Sequence, residues 1–323
     1  MAENSNENSN RKPVSDFVLP FERKIVELEA LRDKATSEEE RATIGAELER
    51  ERTNVVANLT PWQRMQLARH PNRPRMMDYV RRVLDDVIEL HGDRLGGDDP
   101  AMITGIGRFR GRTVAVVGQQ KGDTTDERIR RNFGMPHPEG YRKALRVFEM
   151  AERLHMPIVS FVDTPAADPS VESEAHGQAG AIARNLWAML RLKTPIFVAI
   201  LGEGGSGGAL AIALGDWVAM FEYAIYVVCP PERCAEILWR DIDKKEMAAS
   251  ALKITAADLL SLGVIDRILP EPGGGAHRDP EQSAQVLTEE LDRFLGDYCS
   301  KDNWDPAQRQ QRFRRLGHWR ETG

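Results

Sequence analysis

Residues 196–214 read IFVAILGEGGSGGALAIAL, and their reading decides the fold. The first apolar run fits a strand buried on both faces, as in a parallel sheet. Five glycines, Gly202, Gly204, Gly205, Gly207 and Gly208, crowd the next seven positions before a second apolar run. Glycine inside a regular element costs roughly 0.5–1 kcal/mol relative to alanine. Five of them imply an approach to the main chain that side chains would obstruct. Bare amides at a helix start hold an anion, or an oxygen on which charge develops during a reaction. The turn also matches G-x-G-x-x-G through Gly202, Gly204 and Gly207, with Glu222 at about the spacing for a ribose contact. That dinucleotide match is weak. The helix after it is short, Glu222 precedes the next strand, and at least two strand–helix units come earlier, whereas the fingerprint marks the first.

Outward from this stretch the pattern alternates. Strands are expected at 111–120, 158–163, 224–229 and 264–269, and helices at 76–92, 138–157, 177–193, 231–241, 255–263 and 280–298. Thr255 and Asp258 stand in the cap-and-N3 relation, and Gly263 closes that helix. Such alternation defines an α/β domain with right-handed crossovers. Before it, FERKIVELEALRD carries Ile25, Leu28 and Leu31 at helical spacing, and a second charged helix starts at a cap on Thr36 or Ser37. The organisation read from the sequence is a disordered tail at 1–15, a helical arm at 16–75, the main domain at 76–298 and a basic, loosely held tail at 299–323.

The chain has 323 residues and a net charge of −6, which argues against a general nucleic-acid binder. The polar start contains no signal segment, and no apolar run reaches the roughly 20 residues of a membrane span. Cys229, Cys234 and Cys299 make neither a disulfide framework nor a zinc spacing, so no metal is assigned and a reducing cytoplasm is expected.

A second strand-to-helix turn, Asp163-Thr-Pro-Ala-Ala-Asp, follows the strand at 158–163. Consecutive turns of this kind open on one side of the sheet, leaving room for a substrate between Thr164–Ala167 and the glycine turn. Lys121, in a loop after a strand, is a candidate substrate-facing cation. Arg128, Arg130, Arg131, Arg142 and Lys143 flank a helix start and suit phosphates or an acidic partner surface. His137 and His176 receive no proton-transfer role, Glu203 is read as capping neighbouring amides, and His277 as ordering the entry to the last helix.

QKG (120–122), RRNFGMPHPEGYRKALR (130–146), DTP (163–165), GQAGAIARNL (177–186), GEGGSGGALAIALGD (202–216), LGVIDRILPEP (262–272) and GGAHRDPE (274–281) together resemble the α subunit of the carboxyltransferase component of bacterial acetyl-CoA carboxylase. The resemblance runs from Leu19–Pro20–Phe21 to about residue 295. It implies a crotonase-like fold, a spiral of strand–strand–helix units, and an α2β2 assembly with its active site at the α–β contact. It also implies transfer of a carboxyl group from carboxybiotin, borne on a biotin carboxyl carrier protein, to acetyl-CoA, giving malonyl-CoA for fatty acid synthesis. Biotin carboxylase completes the complex, and zinc belongs to the β subunit only. By this resemblance the backbone amides of Gly204, Gly205, Gly207 and Gly208 form an oxyanion hole, and Lys121, Arg131, Thr164, Pro165, Ala166 and Ala167 contact substrate. Family members usually carry glycines or an aromatic where this chain has Ala166, Asp168, Ser170 and Glu172. Any of these positions that needed a positive φ would be strained, and the two acids would oppose a developing negative charge. The stretch AADPSVES (166–173) therefore also supports an alternative, a non-catalytic structural or regulatory subunit.

Overall fold

The computed structural model describes residues 16–299 and 304–317. The tail read at 1–15 lies outside the described residues, as do 300–303 and 318–323 of the basic tail.

Two antiparallel-packed helices, α1 (Arg23–Lys34) and α2 (Glu38–Asn58), make the arm, followed by α3 (Pro61–Ala68) and α4 (Met76–Val83). Ile25, Leu28 and Leu48 are buried between α1 and α2, and Lys24–Glu51 (2.9 Å) and Arg52–Glu29 (2.7 Å) clasp the rim. Leu31 departs from the expected stripe and is exposed. Ser37 caps α2 by accepting the Glu40 amide.

The sheet has the order β1-β2-β3-β4-β5-β6-β8, with β7 paired to β5 off that path. Its strands are β1 (Asp85–Glu89), β2 (Met102–Phe109), β3 (Arg112–Gln119), β4 (Ile158–Thr164), β5 (Ile196–Gly205), β6 (Trp217–Phe221), β7 (Ile225–Val227) and β8 (Arg267–Leu269). The first two pairings are antiparallel and all the others parallel. Every residue of β4 and β5 is buried, which is why both read as unbroken apolar runs.

Around the sheet lie α5 (Thr125–Arg130), α6 (Pro138–Arg153), α7 (Val171–Ala175), α8 (Gln178–Met189), α9 (Ser206–Leu210), α10 (Pro231–Trp239), α11 (Lys245–Ala251), α12 (Ala256–Ser261), α13 (Pro280–Arg293) and α14 (Pro306–Arg315). Helix α6 buries Tyr141, Ala144, Val147, Phe148 and Ala151 along one stripe. Each large side chain there contributes roughly 1.5–3 kcal/mol by leaving water.

Three expectations need correction. The helix read at 76–92 stops at Val83, and β1 follows as an edge strand with four exposed residues. Glu222 precedes β7 as expected, but it also directly follows a strand the sequence did not show, β6. The last helical segment is not loose: the α14 residue Arg309 is fully buried, bonding Asp216 and the carbonyls of Met189, Leu192 and Thr194. None of the described helices is long and apolar enough to cross a membrane.

Candidate active site

The glycine stretch is not a free turn. Gly202, Gly204 and Gly205 are the last residues of β5, and Gly207 and Gly208 lie in the five-residue α9. Most of their bareness is used by the chain itself. A Cβ on Gly205 would stand 1.8 Å from the Pro165 carbonyl oxygen, and one on Gly208 would stand 2.3 Å from the Ala167 nitrogen. Gly204 would meet Tyr226 at 2.7 Å, and Gly202 would meet Asp163 at 2.8 Å. The space expected between Thr164–Ala167 and the glycine turn is therefore closed, because the two main chains touch. Gly207 differs. Its nearest neighbour would be Ile182 Cδ1 at 3.7 Å, and with Ser206 it lines a cavity of about 290 Å³. Leu210, Tyr226, Val227, Val228, Leu259 and Val264 form the rest of that apolar wall.

Ser206 joins strand to helix with φ +53°. A non-glycine residue held there costs of order 1–3 kcal/mol, and such strain clusters at functional turns. The first amides of α9 have no partner within the helix.

Beneath the turn lies a buried ion cluster. Lys121 Nζ reaches Asp163 Oδ1 and Glu203 Oε2, each at 2.7 Å. Arg69 pairs with Glu203 and with Glu232, both at 2.6 Å, and Arg75 stands 3.8 Å from Asp163. Burial alone would raise the Glu203 pKa; the Lys121 and Arg69 charges overcome it and hold the carboxyl down at about 2. Lys121, expected to face substrate, is buried with its ammonium engaged by two internal carboxylates. Glu203 caps no neighbouring amide with its side chain, and its own amide donates to Asp163 (3.1 Å).

The other candidates are distributed as follows. Thr164 is buried, its hydroxyl engaged with the Ala166 backbone, while Pro165, Ala166 and Ala167 are half-buried against the glycines. Arg131 is half-buried and donates to the Pro100 carbonyl (2.7 Å). Arg142 and Lys143 are internal, bonded to Asp93 and Glu139 and to Asp98 respectively. His277 orders the arm joint instead of the last helix alone, contacting Glu22 (3.0 Å) and stacking on His70. Among the described residues only Glu22, His70 and His277 bring three metal-type ligand atoms together. Arg278 already donates to that carboxylate (2.9 Å), so the group is an ion-paired joint.

Asp168 does not face the glycines. It accepts from Asn132 (2.8 Å) and from the hydroxyls of Ser170 and Ser173. Burial pushes its pKa up, but the Ser170, Ser173 and Asn132 hydrogen bonds prevail and bring it to about 2. None of Ala166, Asp168, Ser170 and Glu172 has a positive φ, so their side chains cause no backbone strain. The sequence reading missed Gln119, Asp163 and Arg69, which organise this region. The Gln119-Gln120-Lys121 end of a buried strand was the available signal, because polar side chains there must find internal partners.

The fold matches solved carboxyltransferase chains. The transcarboxylase 12S core, solved with hydrolysed methylmalonyl-coenzyme A, superposes with a TM-score of 0.54 at 20% identity over 68% of this chain and 41% of that one. The β subunit of P. aeruginosa geranyl-CoA carboxylase gives 0.54 at 16% identity over 73% and 45%. This chain spans under half the length of either. The shared architecture is the crotonase-like fold of carboxyltransferases. Residues 13–317 match the family model described as acetyl co-enzyme A carboxylase carboxyltransferase-like. The acetyl-coenzyme A carboxylase carboxyl transferase subunit alpha of Cyanothece sp. is 48% identical over 319 residues, covering 95% of this chain and 97% of that protein. Its counterpart in Geobacter metallireducens is 51% identical over 316 residues, covering 95% and 99%. The chain belongs to the family of acetyl-CoA carboxylase carboxyltransferase α subunits.

Proposed function

We propose that this chain is the α half of a carboxyltransferase that moves a carboxyl group from carboxybiotin to acetyl-CoA, forming malonyl-CoA in the cytoplasm. The observation that carries the reading is similarity along nearly the whole chain to α subunits of that name. Turnover requires the β subunit in an α2β2 assembly, which brings the zinc. The carboxyl group arrives on a biotin carboxyl carrier protein loaded by biotin carboxylase.

The chemistry asks little of side chains. Release of the carboxyl group of carboxybiotin as carbon dioxide leaves negative charge on the biotin ureido oxygen, which takes the methyl proton of acetyl-CoA. The enolate so formed attacks the carbon dioxide, giving malonyl-CoA and neutral biotin. Preorganised amides suit such charges, and one donor is worth about 2.7–4 kcal/mol in comparable sites. The Gly207 and Gly208 amides at the start of α9 are the donors proposed here, with the apolar cavity beside Gly207 receiving the uncharged part of the ligand. Gly204 and Gly205 admit the Thr164–Ala167 turn, whose role is to back α9. Arg128, Arg130 and Arg131 remain the candidates for CoA phosphates.

The alternative of a non-catalytic subunit rested on Ala166, Asp168, Ser170 and Glu172. None of them has a positive φ, and the Asp168 carboxylate is held by Asn132, Ser170 and Ser173, which supports the catalytic reading over that alternative. The test is malonyl-CoA formation from acetyl-CoA and carboxybiotin by this chain mixed with the β subunit of the same source. Turnover only in the mixture supports the proposal. A stable complex that carboxylates no acetyl-CoA overturns it.

A further inference from the structure

Helix α9 is too short to set its own direction. It has five residues, and Gly205 at its N-cap offers no side-chain cap. Its carbonyls are not all used internally. The Ile212 amide, which in a regular helix would bond the Gly208 carbonyl, bonds Ala209 (3.2 Å). The Gly208 carbonyl is left over and deeply buried, and an unmet acceptor in such a place is costly.

Gln119 meets it. Its Nε2 donates to the Gly208 carbonyl at 2.8 Å, and the Tyr141 hydroxyl adds a longer bond at 3.4 Å. The other end of the same carboxamide accepts the Asp163 amide at 3.1 Å. Asp163 sits where the β4–β5 ladder slips register, between Val162 and Thr164. One fully buried side chain therefore fills two gaps in the backbone, one at the irregular end of β4 and one in α9. The two partners also fix its orientation, because an amide N–H must face the oxygen and a carbonyl must face the nitrogen.

We propose that Gln119 is a positioning residue for the amides of α9: it sets the spacing between the end of β4 and α9, and through Gly208 the aim of the Gly207 and Gly208 N–H groups. This rests on the oxyanion role given to those amides above. Gln119 touches no substrate and acts only through α9.

The test compares three variants in the reconstituted α–β enzyme, with carboxyl transfer from carboxybiotin to acetyl-CoA as the assay. Gln119→Met keeps the shape and removes both hydrogen bonds. Tyr141→Phe removes only the longer bond to the same carbonyl and guards against a fold failure in the first. Ser160→Ala is the structural control. It removes an equally buried bond, Ser160 Oγ to the Ile212 carbonyl (2.6 Å), that does not touch Gly208. The expected result is a kcat lower by at least tenfold for Gln119→Met and two- to fivefold for Tyr141→Phe, with KM for acetyl-CoA within twofold of wild type. Ser160→Ala should lose melting temperature and keep kcat. If Gln119→Met assembles and keeps wild-type kcat, or if all three variants lose kcat in proportion to stability, the positioning role is wrong. A wild-type mixture without turnover would instead overturn the functional reading itself.

Discussion

Gly205 and Gly207 stand two residues apart and should fail in opposite ways. At Gly205 a methyl group would lie 1.8 Å from the Pro165 oxygen and 2.3 Å from its carbonyl carbon, both main-chain atoms of the neighbouring turn. Contacts under 3.0 Å are essentially never seen for a real Cβ, so β5 and the turn after β4 must separate by more than an ångström. Overpacking of this kind costs about 1–3 kcal/mol, occasionally more. At Gly207 the added methyl meets Ile182 at an ordinary 3.7 Å, and alanine suits a helix better than glycine by up to about 1 kcal/mol. Gly205→Ala should therefore melt several degrees lower, and Gly207→Ala at or slightly above wild type. Gly207→Val then tests chemistry with little confounding from the fold, since its branches fill the cavity floor beside the amide. If an oxygen binds there in the transition state, kcat should fall by about 10²–10³, the worth of one lost donor. The assays are thermal melting of the α–β complex and initial rates of malonyl-CoA formation. Full activity in Gly207→Val would refute the oxyanion assignment, and an unshifted melt in Gly205→Ala would refute the packing argument.

Acid should loosen the arm joint. Burial and the facing His277 depress His70 to about 4 from 6.5, and Glu22, raised by burial but lowered more by His277 and Arg278, lies at about 2 instead of 4.5. Both groups bind fewer protons folded than unfolded, so stability is lost as pH falls from about 6.5 towards 4 through His70, and below 4.5 through Glu22. Protease cleavage between the arm and the body should rise over the first window, and His70→Asn should flatten that rise. Arg309→Met would strand the Asp216 carboxylate and three carbonyls in the interior, costing about 3–5 kcal/mol. These groups precede β5 and β6, at the opposite strand ends from the glycines, so turnover per folded complex should not change; a drop in kcat would contradict this placement. Lys121→Met should likewise cost about 3–5 kcal/mol by leaving Asp163 and Glu203 short of a cation. An unchanged melt with a raised KM for acetyl-CoA would restore Lys121 as a substrate contact.

The parts of the fold legible in the sequence are those whose burial is uniform. Strands β3, β4 and β5 lie between covering layers and read as apolar runs, and α6 shows its stripe because only one face is covered. Strand β1, DDVIE, has no such mark. It is an edge strand held through its backbone by β2, and its residues continue the pattern of the preceding helix. Strand β2 carries Gly105 and Gly107, which read as breaks; a Cβ on Gly105 would meet the Ile88 carbonyl at 2.5 Å. At the site, the need for a close approach was legible in the glycines, but its object was not. The atom nearest Gly205 belongs to Pro165, forty positions earlier, and only the register of β4 against β5 brings them together. The ion cluster was hidden for the same reason, since Lys121, Asp163 and Glu203 come from the ends of three different strands.

The order in which the chain is made gives Arg309 a further consequence. Its guanidinium serves the Leu192 carbonyl across 117 positions and the Met189 carbonyl across 120. At about 5–20 residues per second of synthesis, these carbonyls wait roughly 6–24 s for their donor. For the last part of that interval, once Val264 has been made, the base of β5 still lacks its final donor although every residue packed around its glycine end has been synthesised. A message cut short before α14 therefore yields a protein with the glycine end of β5 packed and its opposite end open to proteases. Closure by the last helix distinguishes a finished subunit from an unfinished one.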